Sequence, residues 1–305
     1  MDRREFLKKT AVLGLGVGMT FIPGGLKKIC SSIASADEYP NLVALKGAKP
    51  NLMFDRGMKA IGGMGRFVRS GQTVVIKPNI SWDVPPDGAA NTSPELVASV
   101  IKHCLDAGAG KVYVMDHSIE YWENSKKSSL IGDAVIIAGG VYAPADSGGY
   151  YSSVKVSGNS LKEAMIHETL LESDVLISVP VLKHHGGAGV SISAKGLMGC
   201  VWDRREYHAN GLQRCIADFL SVRRPDLNVI DAGRVITRHG PRGGSASDIV
   251  RMDSLLISDD VVASDAAGAT MLGHKPEDIE HIRLAAQAGH GEIDLSKLKI
   301  ERITV

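Results

Sequence analysis

Apolar positions along the chain fall into short runs rich in β-branched residues, separated by longer stretches with helical spacing. That alternation predicts an α/β fold: a mainly parallel sheet with helices on both faces. Residues 42–45 read as a first strand, 52–68 as a helix, and 73–76 as a buried strand stopped by Pro78. Ser93 and Pro94 suit the N-cap and first turn of a helix that runs to Ala107 and closes on Gly108. Further strands are expected at 111–115, 175–181 and 227–230, a helix at 161–171, and an edge strand in the alternating tail 298–305. No internal repeat is present. A single domain over 37–305 is expected, with two α/β lobes split near 150–175 and a site between them as the alternative arrangement.

In open parallel sheets ligands gather beyond the carboxyl ends of the strands, so the residues delivered there carry the functional reading. The strand at 73–76 ends on Lys77, Pro78 and Asn79, and the strand at 111–115 on Asp116, His117 and Ser118. The strand at 175–181 leads to Lys183, His184 and His185. Three strands converging on one edge with lysine, asparagine, aspartate and histidine predict a polar site.

After His185 come Gly186, Gly187, Ala188 and Gly189, then Ser191, Ser193 and Lys195, which read as a glycine-rich loop entering a short helix. Backbone N–H groups at such a helix start attract a phosphate or carboxylate, and Lys195 would add a positive charge. The G-K-[ST] ending of a nucleotide P-loop is missing. Arg204 and Arg205 supply guanidinium groups suited to planar anions. His208, with His117, His184 and His185, offers imidazoles for one metal ion, although no pair has a recognised ligand spacing. Farther along, Asp231, the loop 239–244 and the run 259–265 bring more polar groups; Asp260 and Asp265 suit helix capping as well as a site.

The N-terminus changes the setting. Arg3 and Arg4 precede a mildly apolar stretch at 11–23, too short for the roughly 20 residues that cross a bilayer. Ala34 and Ala36 are the small residues a signal peptidase reads. Residues 1–36 are therefore expected to be a twin-arginine signal peptide cleaved before Asp37, delivering a folded protein to the periplasm through the twin-arginine translocase. Cys30 lacks the small preceding residue of a lipid-attachment site and would leave with the signal, so no stable membrane anchor is expected. Losing six basic and two acidic residues moves the formal charge from +1 to −3, which gives no reason to expect nucleic acid as a partner. Cys104, Cys200 and Cys215 remain, without a CxxC; one Cys200–Cys215 bridge is open, and a conventional iron–sulfur or structural zinc site is not expected.

Residues 75–79, 174–185, 193–199 and 259–265 are similar to the family called domain of unknown function 362. Some members carry a ferredoxin-like cysteine cluster that this chain lacks, so the resemblance implies a separate redox partner if electrons move. The stretch 181–195 also resembles the nickel-pincer lactate racemase family, in which a histidine precedes a glycine-rich loop and a lysine; here His185 and Lys195 stand ten residues apart. That resemblance implies nickel or another transition metal with an organic, phosphate-bearing cofactor attached to Lys195. It implies His208 and His185 toward the metal, and His117 and His185 as the acid/base pair. His117 lacks the arginine and proline that accompany the family's histidine.

Two functions follow. One is a metal- or cofactor-dependent enzyme, an isomerase or oxidoreductase, performing hydride or proton transfer on a small oxygenated anion. The alternative is a periplasmic protein that binds a small anion or metal without turnover. The expected catalytic groups are His117, His185 and Lys195. Lys77, Asn79, His184, Gly186, Gly187, Gly189, Ser193, Arg204 and Arg205 are expected around a cofactor or anion.

Overall fold

Side chains alternate across strand β2 (Thr73–Pro78), with Val74 and Ile76 packed into one core and Val75 into another. Strand β7 (Val175–Val179) does the same: Val175 and Ile177 point to the first core, Leu176 to the second. Period-two burial on both faces is what a sheet covered on each side requires. The computed structural model describes residues 39–243 and 245–305. The export signal expected at 1–36, its cleavage site and Cys30 lie outside the described residues.

The principal sheet runs β12-β1-β11-β10-β7-β2-β3-β4. Its remaining strands are β1 (Leu42–Lys46), β3 (Lys111–Val114), β4 (Val141–Tyr142), β10 (Leu227–Ile236), β11 (Ile249–Ser258) and β12 (Ile300–Thr304). β4, β3, β2, β7 and β10 are parallel neighbours; β11 returns antiparallel between β10 and β1, and β12 lies parallel to β1 at the edge. The fold is thus mixed α/β with a mainly parallel centre. The segment near 150–175 does not divide the sheet, because β7, which follows it, is paired between β2 and β10.

Helices α1 (Pro50–Ala60), α2 (Pro94–Asp106), α3 (Trp122–Ser128) and α4 (Ile131–Ile137) come early in the chain; Phe54, Val100 and Val135 anchor α1, α2 and α4 in one core. Each such fully buried apolar side chain contributes about 1.5–3 kcal/mol. α1 stops earlier than the expected 52–68 because Gly62 and Gly63 take φ of 99° and 81°. Ser93 does occupy the N-cap position of α2, but its side chain does not cap; its N–H donates to Asp231 Oδ2 at 2.8 Å.

The expected helix at 161–171 is mostly strand. β5 (Tyr151–Lys155) and β6 (Glu163–His167) form an antiparallel ribbon, and only Glu168–Leu171 (α5) is helical. The reason is visible in burial: Ala164 and Ile166 are buried, while Glu163 is exposed and Met165 only partly covered, a period of two.

The expected strand 175–181 breaks at Pro180. Beyond it β8 (Val181–His185) stays beside β10, while β2 ends opposite Val179 at Pro78. The sheet therefore forks between β2 and β8. The glycine stretch is not a loose loop: β9 (Gly189–Ser191) folds back antiparallel on β8, pairing His185 with Gly189.

Five helices complete the second face and the site: α6 (Ser193–Gly196), α7 (Arg205–Ala209), α8 (Leu212–Phe219), α9 (Val261–Met271) and α10 (Glu280–Gln287). α9 is buried from Val261 through Ala269 and is capped by Asp260, whose carboxylate accepts from Val262 and Ala263. No helix among the described residues is long and apolar enough to cross a membrane. Cys104, Cys200 and Cys215 are buried free thiols, so Cys200 and Cys215 are not bridged.

Candidate functional site

The fork between β2 and β8 is braced by a side chain. Asn79 Oδ1 accepts from Val181 N at 2.9 Å, and Thr92 Oγ1 accepts from Asn79 N at 2.8 Å. Next to this brace lies a cavity of about 30 Å³ lined by Lys77, Asn79, Asp116, Lys183, Lys195 and Arg204, among others. Such a volume is room for the centres of one or two water molecules, and the pocket around it opens to solvent.

Lys77 and Asp116 form a buried ion pair at 3.0 Å, with side chains 2% and 0% exposed. Lys77 Nζ also donates to Pro78 O at 2.7 Å, and Asp116 Oδ2 accepts from Ile80 N at 2.7 Å and Ser81 Oγ at 3.1 Å. Gly199 makes room for the pair: a methyl group there would fall 1.8 Å from Asp116 Oδ1 and 2.7 Å from Lys77 Cε.

The other cations have no carboxylate partner among the described residues. Lys183 is buried and, among the described residues, donates only to Ala90 O. Arg204 donates to two backbone carbonyls, His117 O at 2.8 Å and Ser118 O at 3.0 Å. Lys195 is half-buried on α6 and has no hydrogen-bond or ion-pair partner among the described residues. Burial, then the charges of Lys77 and Arg204, lower the Lys195 amine to about 8. Burial, reinforced by Lys195 and Lys77, holds Lys183 well below the usual lysine range.

The anion site expected at the start of α6 is already filled by the protein. Asp265, on α9, accepts from Ser193 N at 2.8 Å and Ala194 N at 3.0 Å. Burial raises this carboxyl to about 7 against the pull of the two amides. Ser193 therefore serves this internal contact, with its Oγ donating to Ser178 Oγ at 3.2 Å. Asp265 fixes the short helix that carries Lys195.

Several expected site residues stand apart. His185 Nδ1 accepts from Gly187 N and Ala188 N, both at 3.1 Å, so its proton sits on Nε2. Burial and the nearby Lys195 lower this ring to about 3, which leaves it neither a ready base at Nδ1 nor an imidazolium. His184 Nδ1 accepts from Gly240 N at 3.2 Å. Gly186, Gly187 and Gly189 turn and close the β8–β9 hairpin rather than line the cavity. His117 donates from Nδ1 to Val201 O at 2.9 Å and stacks on Trp202 at 4.7 Å, with burial and Arg204 lowering its pKa. Arg205 is exposed and paired with Asp203, and His208 is exposed on α7.

No group of three or more His, Cys, Asp or Glu among the described residues could hold a metal ion. The donor set expected for nickel does not fit: His208 faces outward and His185 Nδ1 is occupied by amides. Lysine and arginine suit an anion instead.

Two groups escaped the sequence reading. Glu120 joins three loops over the cavity, accepting from Asp83 N at 2.5 Å and from Arg242 Nε at 2.8 Å. The same loops supply Trp82, Ile119 and Pro241 to the lining. His281 donates from Nδ1 to Gln213 Oε1 at 2.6 Å, and Gln213 Nε2 donates to Gly187 O at 3.4 Å, which steadies the hairpin turn beneath His185.

The model of the family described as Domain of unknown function (DUF362) matches residues 74–270, and the chain belongs to that family. A thylakoid-associated protein of Synechocystis sp. is 28% identical over 227 residues, which covers 68% of this chain and 65% of that protein. The chain thus spans slightly less than two thirds of that relative. The lactate racemase apoprotein from Thermoanaerobacterium thermosaccharolyticum aligns with a TM-score of 0.48 at 14% identity, over 75% of this chain and 56% of the other. A protein from Thermotoga maritima aligns at 0.47 and 10% identity, over 79% and 60%.

Proposed function

We propose that this member of the DUF362 family is an enzyme that holds a small oxygenated anion beside Lys77, Lys183, Lys195 and Arg204 and moves a proton on it through the Lys195 amine. The observation that supports this reading is the isolation of Lys195. Lys195 lines the cavity, meets no carboxylate among the described residues, and is lowered to about 8 by burial and neighbouring cations. At pH 7.5 roughly a quarter of such amines are unprotonated, near the balance that general acid–base catalysis favours. Arg204 and Lys183 would stabilise negative charge that grows on the ligand as its proton leaves. The reading gives His117 and His185 no proton-transfer step.

The test is exchange of the α-proton. Wild type and Lys195→Met are incubated in D2O with a panel of small 2-hydroxy and 2-oxo acids and followed by proton NMR. Exchange by wild type, lost at least about 100-fold in the variant, supports the enzyme. Binding without exchange would replace it with an anion-binding protein. Neither binding nor exchange would sink both.

The arginine pair and the small residues at 34 and 36 support a periplasmic setting for this activity. Replacing Arg3 and Arg4 by lysine should leave the uncleaved protein in the cytoplasm, and unchanged export would refute that route.

A further inference from the structure

The cavity's charges do not balance. Lys77 and Asp116 satisfy one another, which leaves Lys183, Lys195 and Arg204 around the same space with no carboxylate among the described residues. Lys183 is the most telling of these. It is 2% exposed, and its ammonium meets one backbone carbonyl, Ala90 O. A buried cation without a counterion is strongly unfavourable, so a site containing several is stable only if they shed protons or if negative charge arrives.

Resting on the oxyanion reading above, we propose that this pocket is built for a group carrying two negative charges, and that binding it draws a proton onto the lysines. A monoanion offsets Arg204 alone and leaves neither lysine a counter-charge for a proton. A dianion offsets two cations and makes a protonated Lys183 or Lys195 favourable again. The same arrangement suits a phosphoryl or sulfuryl group in the ground state, or a carboxylate that becomes a dianion when its α-proton is removed. The groups that face the two amines are Lys77, Asp116 and Arg204, with the neutral rings of His185 and His281 and the buried thiol of Cys200 farther out. Asp116 is the one carboxylate in this set, and Lys77 engages it.

Calorimetric titration of the full chain with sulfate and with acetate tests the proposal. Neither ion titrates near pH 7.5, so any proton taken up belongs to the protein. Sulfate should bind at least about tenfold tighter than acetate. Its heat should change with the buffer's ionisation enthalpy in the sense of uptake, by between about 0.3 and 1 proton. Lys183→Met should bring the two affinities within about threefold while acetate binding persists. Because the substitution removes a buried amine that has no counterion and a single backbone partner, its ligand-free melting temperature should not fall, which separates lost selectivity from lost folding. Acetate binding as tightly as sulfate, or a sulfate heat independent of buffer, would overturn the dianion inference and leave the oxyanion reading standing. Failure of both ions to bind would overturn the oxyanion reading itself.

Discussion

The carboxylate of Asp265 accepts from the N–H of Ala194 at 3.0 Å, so an aspartate from a buried helix ends where an external anion was expected. The carboxyl is raised to about 7, which means the folded protein holds its proton more tightly than the unfolded chain between about pH 4 and 7. The stability it contributes is full below the unfolded value and is lost as pH rises through 7. Denaturant titrations of wild type and Asp265→Asn should therefore diverge with pH. The wild type's advantage should shrink by up to about 1.4 kcal/mol per pH unit across that window. A difference independent of pH would contradict the raised carboxyl.

Gly199 and Asp116 meet with no space for a methyl group. Gly199→Ala should push Asp116 off Lys77 and cost about 1–3 kcal/mol of stability. Chemical denaturation gives the energy, and sulfate titration shows whether the displaced lysine also loosens the anion. An unchanged midpoint would mean that the pair has somewhere else to go.

His185 should be silent in a pH titration. Two amides hold its Nδ1 as an acceptor, and the ring is lowered to about 3. Nitrogen-15 NMR should report the Nε2–H form unchanged from pH 5 to 8, whereas a midpoint near 6.5 would restore the ring as an acid/base candidate.

The Glu120–Arg242 bond crosses two of the loops above the cavity. Its side chains are 30% and 50% exposed, so breaking it should change stability by no more than about 1 kcal/mol. Glu120→Gln should instead speed both entry and exit of sulfate several-fold with little change in affinity. Stopped-flow fluorescence of Trp82, which lines the cavity, reads those rates. Identical rates would show that the loops do not limit access.

Strand ends were the legible part of the site. Pro78 and Pro180 punctuate apolar runs, so Lys77, Asn79, Asp116 and Lys183 could be assigned to one edge from local pattern alone. Contacts across long separations were not legible. Asp265 lies 72 positions from Ser193 and 71 from Ala194, and Gln213 lies 68 positions from His281. Nearness along the chain also misled: Arg205 and His208 follow α6 closely, yet α7 turns both to solvent. The misread helix at 161–171 has the same origin, because the ribbon's pairing with β5 decides its conformation and period-two burial is brief.

Asn79 completes the forked ladder with an amide that belongs to a side chain, where an uninterrupted strand would have offered its own carbonyl. The wall of the pocket beside the fork is therefore a side chain, Asn79, rather than backbone. Backbone spacing in a sheet is nearly fixed, but the length of a side chain is open to a single-codon change, so relatives sharing this fork can admit differently sized ligands without rebuilding a strand.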